Sequence, residues 1–361
     1  MIDPIAKLRS ATGSLLSVYV NRRPPATRAA LSQLLKDLRH STDDDRSTRT
    51  DISRILDMAP EIERSGAPAT AIFASHRDGI FEVLPLAHTV DEVAAIGPRP
   101  HLRPLRAEPR PLRVGVLVAD AGHARTYLAN GGGLREIGQA LTADRGKENF
   151  GGFAGYEEQR IRARAEEVSA AMWRQAGRRL LDEHRDQPLE LLLLVGREED
   201  FDSIAAALHP YLQELPQARV RADIRTLTAA ELVDHVSREM EKDRTRRHEE
   251  LTAHLLAEAG RDGAAVLGVA PVLDACNAHA VEHLVVAGPF AKPGFLCDGC
   301  GHLSRAEEEC PVCRQATFPI SDILSAAMDA TVEAGGKVDV VSVASPLDAP
   351  GAGALLRFRM G

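Results

Sequence analysis

The chain has 361 residues, of which 44% are hydrophobic and 4% aromatic, and its 44 Lys+Arg against 52 Asp+Glu leave a formal charge of -8. At roughly 100 to 200 residues per domain, this length predicts two or three domains with cores of their own and excludes a disordered or fibrous chain. The acidic balance excludes a protein that coats nucleic acid by bulk electrostatics, because neutralising phosphates takes Lys and Arg.

The first apolar run, residues 14–20, is too short to span a membrane and lacks the flanks of a signal peptide, so a cytoplasmic address and no membrane partner are expected. Residues 15–20 and 69–73 read as strands, and 29–38 as a helix with Leu31, Leu34, Leu35 and Leu38 on one face. The polar stretch 40–51 reads as a mobile loop. Five prolines in residues 97–111 read as an extended linker that closes a first α/β domain, residues 1–110.

A second domain, residues 111–225, opens with three strand-like runs at 112–119, 124–129 and 134–141, joined by Asp/Gly- and Asn/Gly-rich turns. Asp120 reads as a turn residue, with His123 and Arg125 as surface neighbours. A long helix at 157–183 carries Ile161, Ala165, Val168, Met172, Ala176 and Leu180 on one face, and Trp173 reads as a packing anchor. A strand at 190–195, a helix at 200–212 and a strand at 219–224 complete a mixed sheet with helices on its faces. The third domain, residues 226–361, begins at Thr228-Ala229-Ala230-Glu231, which has the spacing of a capping box. Strands at 281–287 and 338–343 and a helix at 321–333 make it α/β again. The charge is unevenly spread: the three domains sum to +2, -2 and -8 in chain order, so the net acidity resides in the third.

Four of the five cysteines form two pairs, Cys297-x2-Cys300 and Cys310-x2-Cys313, while Cys276 reads as a small core residue. Each pair can present two sulfurs from one tight turn, and two such knuckles close a tetrahedron around Zn²⁺. A zinc ribbon at about 295–318 with four thiolate ligands has no open position, so the metal is expected to be structural and His302 a bystander. A redox CxxC is the alternative, although neither pair opens a helix after a strand.

The other motif is a glycine loop, Gly151-Gly152-Phe153-Ala154-Gly155, followed by a helix carrying Arg160, Arg162 and Arg164, then Arg174, Arg178 and Arg179. Glycines at this density allow a long excursion or a close approach of backbone to a partner. The loop is neither a P-loop nor a dinucleotide fingerprint. An ordinary loop before a solvated helix is the plainer reading.

The meander, Gly-Gly loop and arginine-bearing helix at 114–181 resemble the middle domain of the archaeo-eukaryotic peptide-chain release factor and Pelota superfamily. Residues 266–273 (VLGVAPVL) and 280–286 (AVEHLVV) resemble that superfamily's last domain, whose archaeal members carry paired CxxC motifs at a similar place. With a weaker match in the first domain, the resemblance spans nearly the whole chain, which looks like a bacterial member. It implies an α/β protein of three domains, with an RNase H-like mixed-sheet middle domain and a ribosomal-protein-like last domain bearing the zinc ribbon.

In release factors the loop reads Gly-Gly-Gln, and the glutamine helps position water against the peptidyl-tRNA ester. Here Gly151 and Gly152 match, but Phe153 stands next, and a phenyl ring can neither donate nor accept the hydrogen bonds that orient water. Gln159, seven residues beyond Gly152, is the remaining candidate for a catalytic residue. The stop-codon-reading Asn-Ile-Lys-Ser segment is missing as well. The resemblance therefore implies a ribosomal A-site factor with a loop at the peptidyl transferase centre. Arg160, Arg162, Arg164, Arg174 and Arg178 would touch rRNA, and possible further partners are tRNA and a translational GTPase met by the acidic last domain. Rescue, protection or hibernation of ribosomes without ester hydrolysis is the expectation. The alternatives are a peptidyl-tRNA hydrolase acting as a codon-independent release factor, and a zinc-containing RNA or protein adaptor.

Overall fold

The apolar run near the start becomes strand β1 (Leu15–Asn21), and its continuous hydrophobicity follows from burial on both faces. In the computed structural model, which describes residues 2–41, 46–106, 112–130, 133–143, 156–261, 263–288, 290–306, 309–341 and 345–360, β1 lies between β2 (Ala69–Ser75) and β4 (Val93–Gly97). Strand β3 (Ile80–Leu86) pairs with the far edge of β2, and every pairing in this sheet is antiparallel. Leu16, Val18, Val20 and Ile72 pack against helices α2 (Thr27–Ser41), α3 (Arg46–Asp57) and α4 (Ala59–Arg64). On the opposite face, Tyr19 and Phe73 meet edge to face beside Ile5 of α1 (Ile2–Ala6).

Two expectations for this domain change. Residues 46–51 belong to α3, and buried Asp51 accepts a hydrogen bond of 2.9 Å from the amide of His76, so its polarity serves an internal contact and not a loop. The proline-rich segment is not an extended linker through residue 106. Leu102 and Leu105 close the second face of the sheet, and α5 (Arg103–Arg106) is a helical turn with Arg103 buried.

The middle sheet has the order β10-β9-β5-β6-β7, built from β5 (Val114–Ala119), β6 (His123–Asn130), β7 (Gly133–Glu136), β9 (Leu191–Gly196) and β10 (Gln217–Arg221), with β8 (Leu141–Thr142) also on β6. The meander strands are antiparallel and β5, β9 and β10 are parallel, which is the mixed sheet expected. Helix α6 (Tyr156–Asp186) covers one face with α7 (Phe201–Ala207) and α8 (Pro210–Gln213); the expected single helix at 200–212 is interrupted before Pro210.

Helix α9 (Ala229–Gly260) starts at the expected capping box: the Thr228 amide donates to Glu231 Oε2 at 2.9 Å and the Glu231 amide to Thr228 Oγ1 at 3.2 Å. Its Leu232 and Val236 belong to the core on the second face of the middle sheet, whereas Leu255 belongs to a core with Val285 and Val341. The chain accordingly divides into two compact units, residues 110–247 and residues 1–109 with 248–361.

In the latter unit, β11 (Ala265–Leu267), β17 (Ala352–Leu356), β12 (Val281–Ala287) and β16 (Lys337–Val341) form a sheet in that order, with β12 and β16 parallel. Helices α10 (Val269–Asn277) and α11 (Ile323–Glu333) cover it. A separate three-stranded sheet of β14 (Leu303–Ser304), β13 (Gly294–Leu296) and β15 (Phe318–Ile320) holds the cysteines. The fold is α/β throughout, in several sheets, as the sequence implied.

A cavity of about 550 Å³ lies beside α5 and α11, lined by His101, Asp322 and Asp329 among others. Burial pushes the His101 imidazole down to about 4, opposed by Asp322 and assisted by Arg103. Burial pushes the Asp329 carboxyl up to about 6 against the attraction of Arg106 and Arg99 and with help from Glu333. The two groups have opposite linkage. Between about pH 4 and 6.5 the unfolded chain binds the proton that folded His101 refuses, so this residue makes stability rise with pH. Between pH 3.8 and about 6 the folded chain keeps the proton on Asp329, so that residue makes stability fall. Relative to the parent, Asp329→Asn should steepen the rise of unfolding free energy with pH and His101→Gln should reverse it, each by on the order of 3 kcal/mol across the window in urea titrations at stepped pH.

Candidate metal centre and arginine helix

The two cysteine knuckles repeat one backbone design. The Cys297 amide donates to the His302 carbonyl at 2.9 Å and the Gly301 amide to the Cys297 carbonyl at 2.8 Å; the Cys310 amide donates to the Gln315 carbonyl at 2.8 Å and the Arg314 amide to the Cys310 carbonyl at 2.9 Å. In both, the residue after the second cysteine is left-handed, Gly301 with φ 77° and Arg314 with φ 63°. A glycine there is free of strain, whereas a residue with a Cβ costs about 1 kcal/mol. The knuckles bring all four sulfurs within 4.8 Å of one another, with Cys297–Cys313 and Cys300–Cys310 each 3.4 Å apart. A disulfide would need about 2.05 Å. Four thiolates around a zinc ion at about 2.3 Å stand roughly 3.8 Å apart, which these separations bracket.

Cys297 and Cys310 are buried, Cys313 is partly covered and Cys300 is exposed. Burial opposes ionisation of Cys310, but the amides of Cys313 and Val312 outweigh it and pull the thiol down to about 7. The other knuckle sulfurs shift the opposite way: burial pushes the Cys300 thiol up to about 12, and Cys313 is raised against the Gln315 amide by the Cys297 thiol and burial. His302 contributes its carbonyl, and its ring is outside the donor set, so with four thiols the sphere is closed. Leu296 and Leu303 of the ribbon pack into the core of α10 and α11, and Asn277, at the end of α10, donates to the Leu303 carbonyl and accepts from the Leu303 amide, both at 2.9 Å. Nothing in the sequence marks Asn277 or Arg314 for these parts.

Helix α6 has two unlike halves. From Ser169 onward it is anchored: Met172, Trp173, Ala176 and Leu180 enter the sheet's core, Trp173 Nε1 donates to the Asp120 carbonyl at 3.0 Å and Ser169 Oγ to the Ala121 carbonyl at 2.6 Å. Asp120 is a turn residue, as expected, its Oδ1 accepting the amides of Gly122 and His123 at 2.7 Å each. Burial opposes ionisation, and these amides with the His123 ring outweigh it and hold the carboxyl below its usual range.

Before Ser169 the helix exposes Arg160, Arg162 and Arg164 with Ala163, Glu166 and Glu167. At 100° per residue, Arg160, Arg164, Arg174 and Arg178 fall in one stripe about 27 Å long, and Arg162 falls on the opposite side. Arg162 pairs with Glu166 at 3.2 Å and Arg174 with Glu167 at 2.5 Å, exposed contacts that a phosphate can displace. Arg178 is exposed, whereas Arg179 is spent on the carbonyls of Ile137 and Gln139. Gln159 lies in the first turns of α6, its side chain outside the described residues, as are Gly151, Gly152 and Phe153 altogether.

No protein-family model matches the chain, and no curated protein does. Among solved structures it is similar to the archaeal translation termination factor aRF1, at 16% identity over 99% of this chain and 96% of that one, with a TM-score of 0.24. It is similar to archaeal Pelota, from a model of ribosome-bound Pelota and ABCE1, at 20% identity over 81% and 78%, TM-score 0.44. Dom34 of S. cerevisiae, a translation termination-like factor that interacts with Hbs1, is similar at 12% identity over 81% and 79%, TM-score 0.41. Among the described residues, no helix is long and apolar enough to cross a membrane.

The single tryptophan, Trp173, sits in the core of the middle sheet, far in sequence from the cysteines and in the other compact unit. Chelation of a bound metal is therefore expected to raise proteolysis within residues 294–320 while leaving tryptophan emission unchanged; a shifted emission maximum would place the metal's influence elsewhere.

Proposed function

We propose that this chain is a ribosome-associated factor of the release factor and Pelota type, working in the A site in ribosome rescue, protection or hibernation without cutting the peptidyl-tRNA ester. The observation that carries this reading is the exposed arginine stripe of α6, Arg160, Arg164, Arg174 and Arg178, which follows Gly151-Gly152 in sequence, with Phe153 where hydrolysis would require glutamine. A helix whose fully buried residues, among those described, begin at Ser169 and which exposes Arg160 and Arg164 before it suits phosphates of folded RNA. This local basic surface reconciles RNA contact with an acidic chain. The four-cysteine ribbon holds Zn²⁺ as a structural ion, and the charge of -8 on the last domain favours a protein partner there, such as a translational GTPase. A cytoplasmic location accords with this reading.

The test is cosedimentation with purified 70S ribosomes. The parent is expected to bind, and Arg160→Glu with Arg164→Glu to weaken binding at least tenfold at unchanged thermal stability. In a peptide-release assay on stalled complexes, parent and Gln159→Ala are both expected to be inactive. Release by the parent that Gln159→Ala abolishes would establish the hydrolase instead. Crosslinks to mRNA or tRNA with none to rRNA would establish an adaptor.

A further inference from the structure

The unit formed by residues 1–109 and 248–361 contains two domains whose apolar cores do not merge. No cluster of buried apolar residues described in it draws members from both the first domain and the last. Besides an exposed Arg9–Glu333 pair at 3.7 Å, the first domain is held by a short basic segment and by the cysteine ribbon. Arg99, Arg103 and Arg106 reach Asp298 at 3.2 Å, Asp322 at 2.7 Å and Asp329 at 2.6 Å. Asp298 sits inside the first knuckle, between Cys297 and Cys300.

The ribbon's third strand supplies the apolar part of the joint. A Cβ at Gly13, where φ is +71°, would come within 2.6 Å of the Phe318 ring, and one at Gly97 within 3.5 Å of Ile320 Cγ2. Both glycines belong to the first domain, and their missing side chains make room for β15. The cavity of about 550 Å³ beside these contacts is lined from the proline-rich segment, the first knuckle and α11.

We infer that the cysteine ribbon is a metal-dependent wedge: metal bound by the four thiols sets the ribbon's shape, and that shape decides whether the first domain is docked on the last. The inference rests on the metal reading of the thiols given above. Without the ion the two knuckles lose their common anchor, Asp298 loses its fixed position opposite Arg99, and β15 loses the frame that presents Phe318 and Ile320. The first domain's own sheet contains no ribbon residue and keeps its fold.

Hydrogen exchange on the full chain, read by mass spectrometry alongside metal content, tests this. With one metal per chain, stripping it is expected to speed exchange in residues 99–106 at least tenfold, while β1 and β2 stay protected. Phe318→Ala, which leaves every cysteine in place, is expected to keep the metal and still loosen residues 99–106. If stripping the metal frees residues 294–320 but leaves 99–106 as protected as before, the wedge is wrong and the metal site stands. If the purified protein holds no metal and takes up none, the metal reading fails and metal-dependent docking with it. Unchanged protection of 99–106 in Phe318→Ala overturns the wedge independently of the metal.

Discussion

One guanidinium joins the beginning of the chain to its end. Arg103 donates to Asp322 Oδ2 at 2.7 Å and to the carbonyls of Ala287 and Gly288 at 2.8 and 2.7 Å, with both charged side chains almost wholly buried. It thereby adds a donor to the Ala287 carbonyl, which also accepts the Phe290 amide, and to the Gly288 carbonyl, just where β12 ends. Asp322 is equally committed, since its other oxygen accepts the Leu324 amide and caps α11. A buried pair held by several hydrogen bonds is tolerated, whereas loss of either partner leaves a charge in a dry site, typically at about 3–5 kcal/mol. Both the end of the central strand and the start of α11 therefore depend on a residue from the far side of the sequence.

That dependence explains where reading the sequence fell short. Residues 97–111 contain five prolines and alternate charge with apolar residues, a composition shared by extended linkers. What orders residues 99–106 is a set of acceptors at Asp298, Asp322 and Asp329, about 200 positions away, and no local pattern encodes such partners. The loop reading gave way over residues 46–51 for the same reason, since Asp51 accepts from the amide of His76, while residues 42–45 lie outside the described residues. By contrast β1, the meander, α6 and the strand at 191–196 were legible because their period or continuous apolarity reports burial against a sheet directly. The capping box at Thr228 was legible too, although the helix it opens divides its apolar residues between two cores.

The candidate sites were legible to different depths. Ligand identity in the cysteine ribbon is a matter of spacing, and Gly301 announces its left-handed turn. Its counterpart Arg314 adopts the same backbone with no such mark, because the hydrogen bond to Cys310 imposes it. For the arginines, the residue types were readable and their sides of the helix only partly so. The helical period separates Arg162 from Arg160 and Arg164, and a count of cations along the chain does not.

Asn277 carries a consequence beyond anchoring. Strand β14 lies at the edge of its three-stranded sheet, where a row of unpaired backbone groups would invite another chain to add a strand. The amide of Asn277 copies the donor and acceptor of a neighbouring strand and occupies both backbone groups of Leu303. A single side chain thus occupies, at the β14 edge, the backbone groups that an added strand would need.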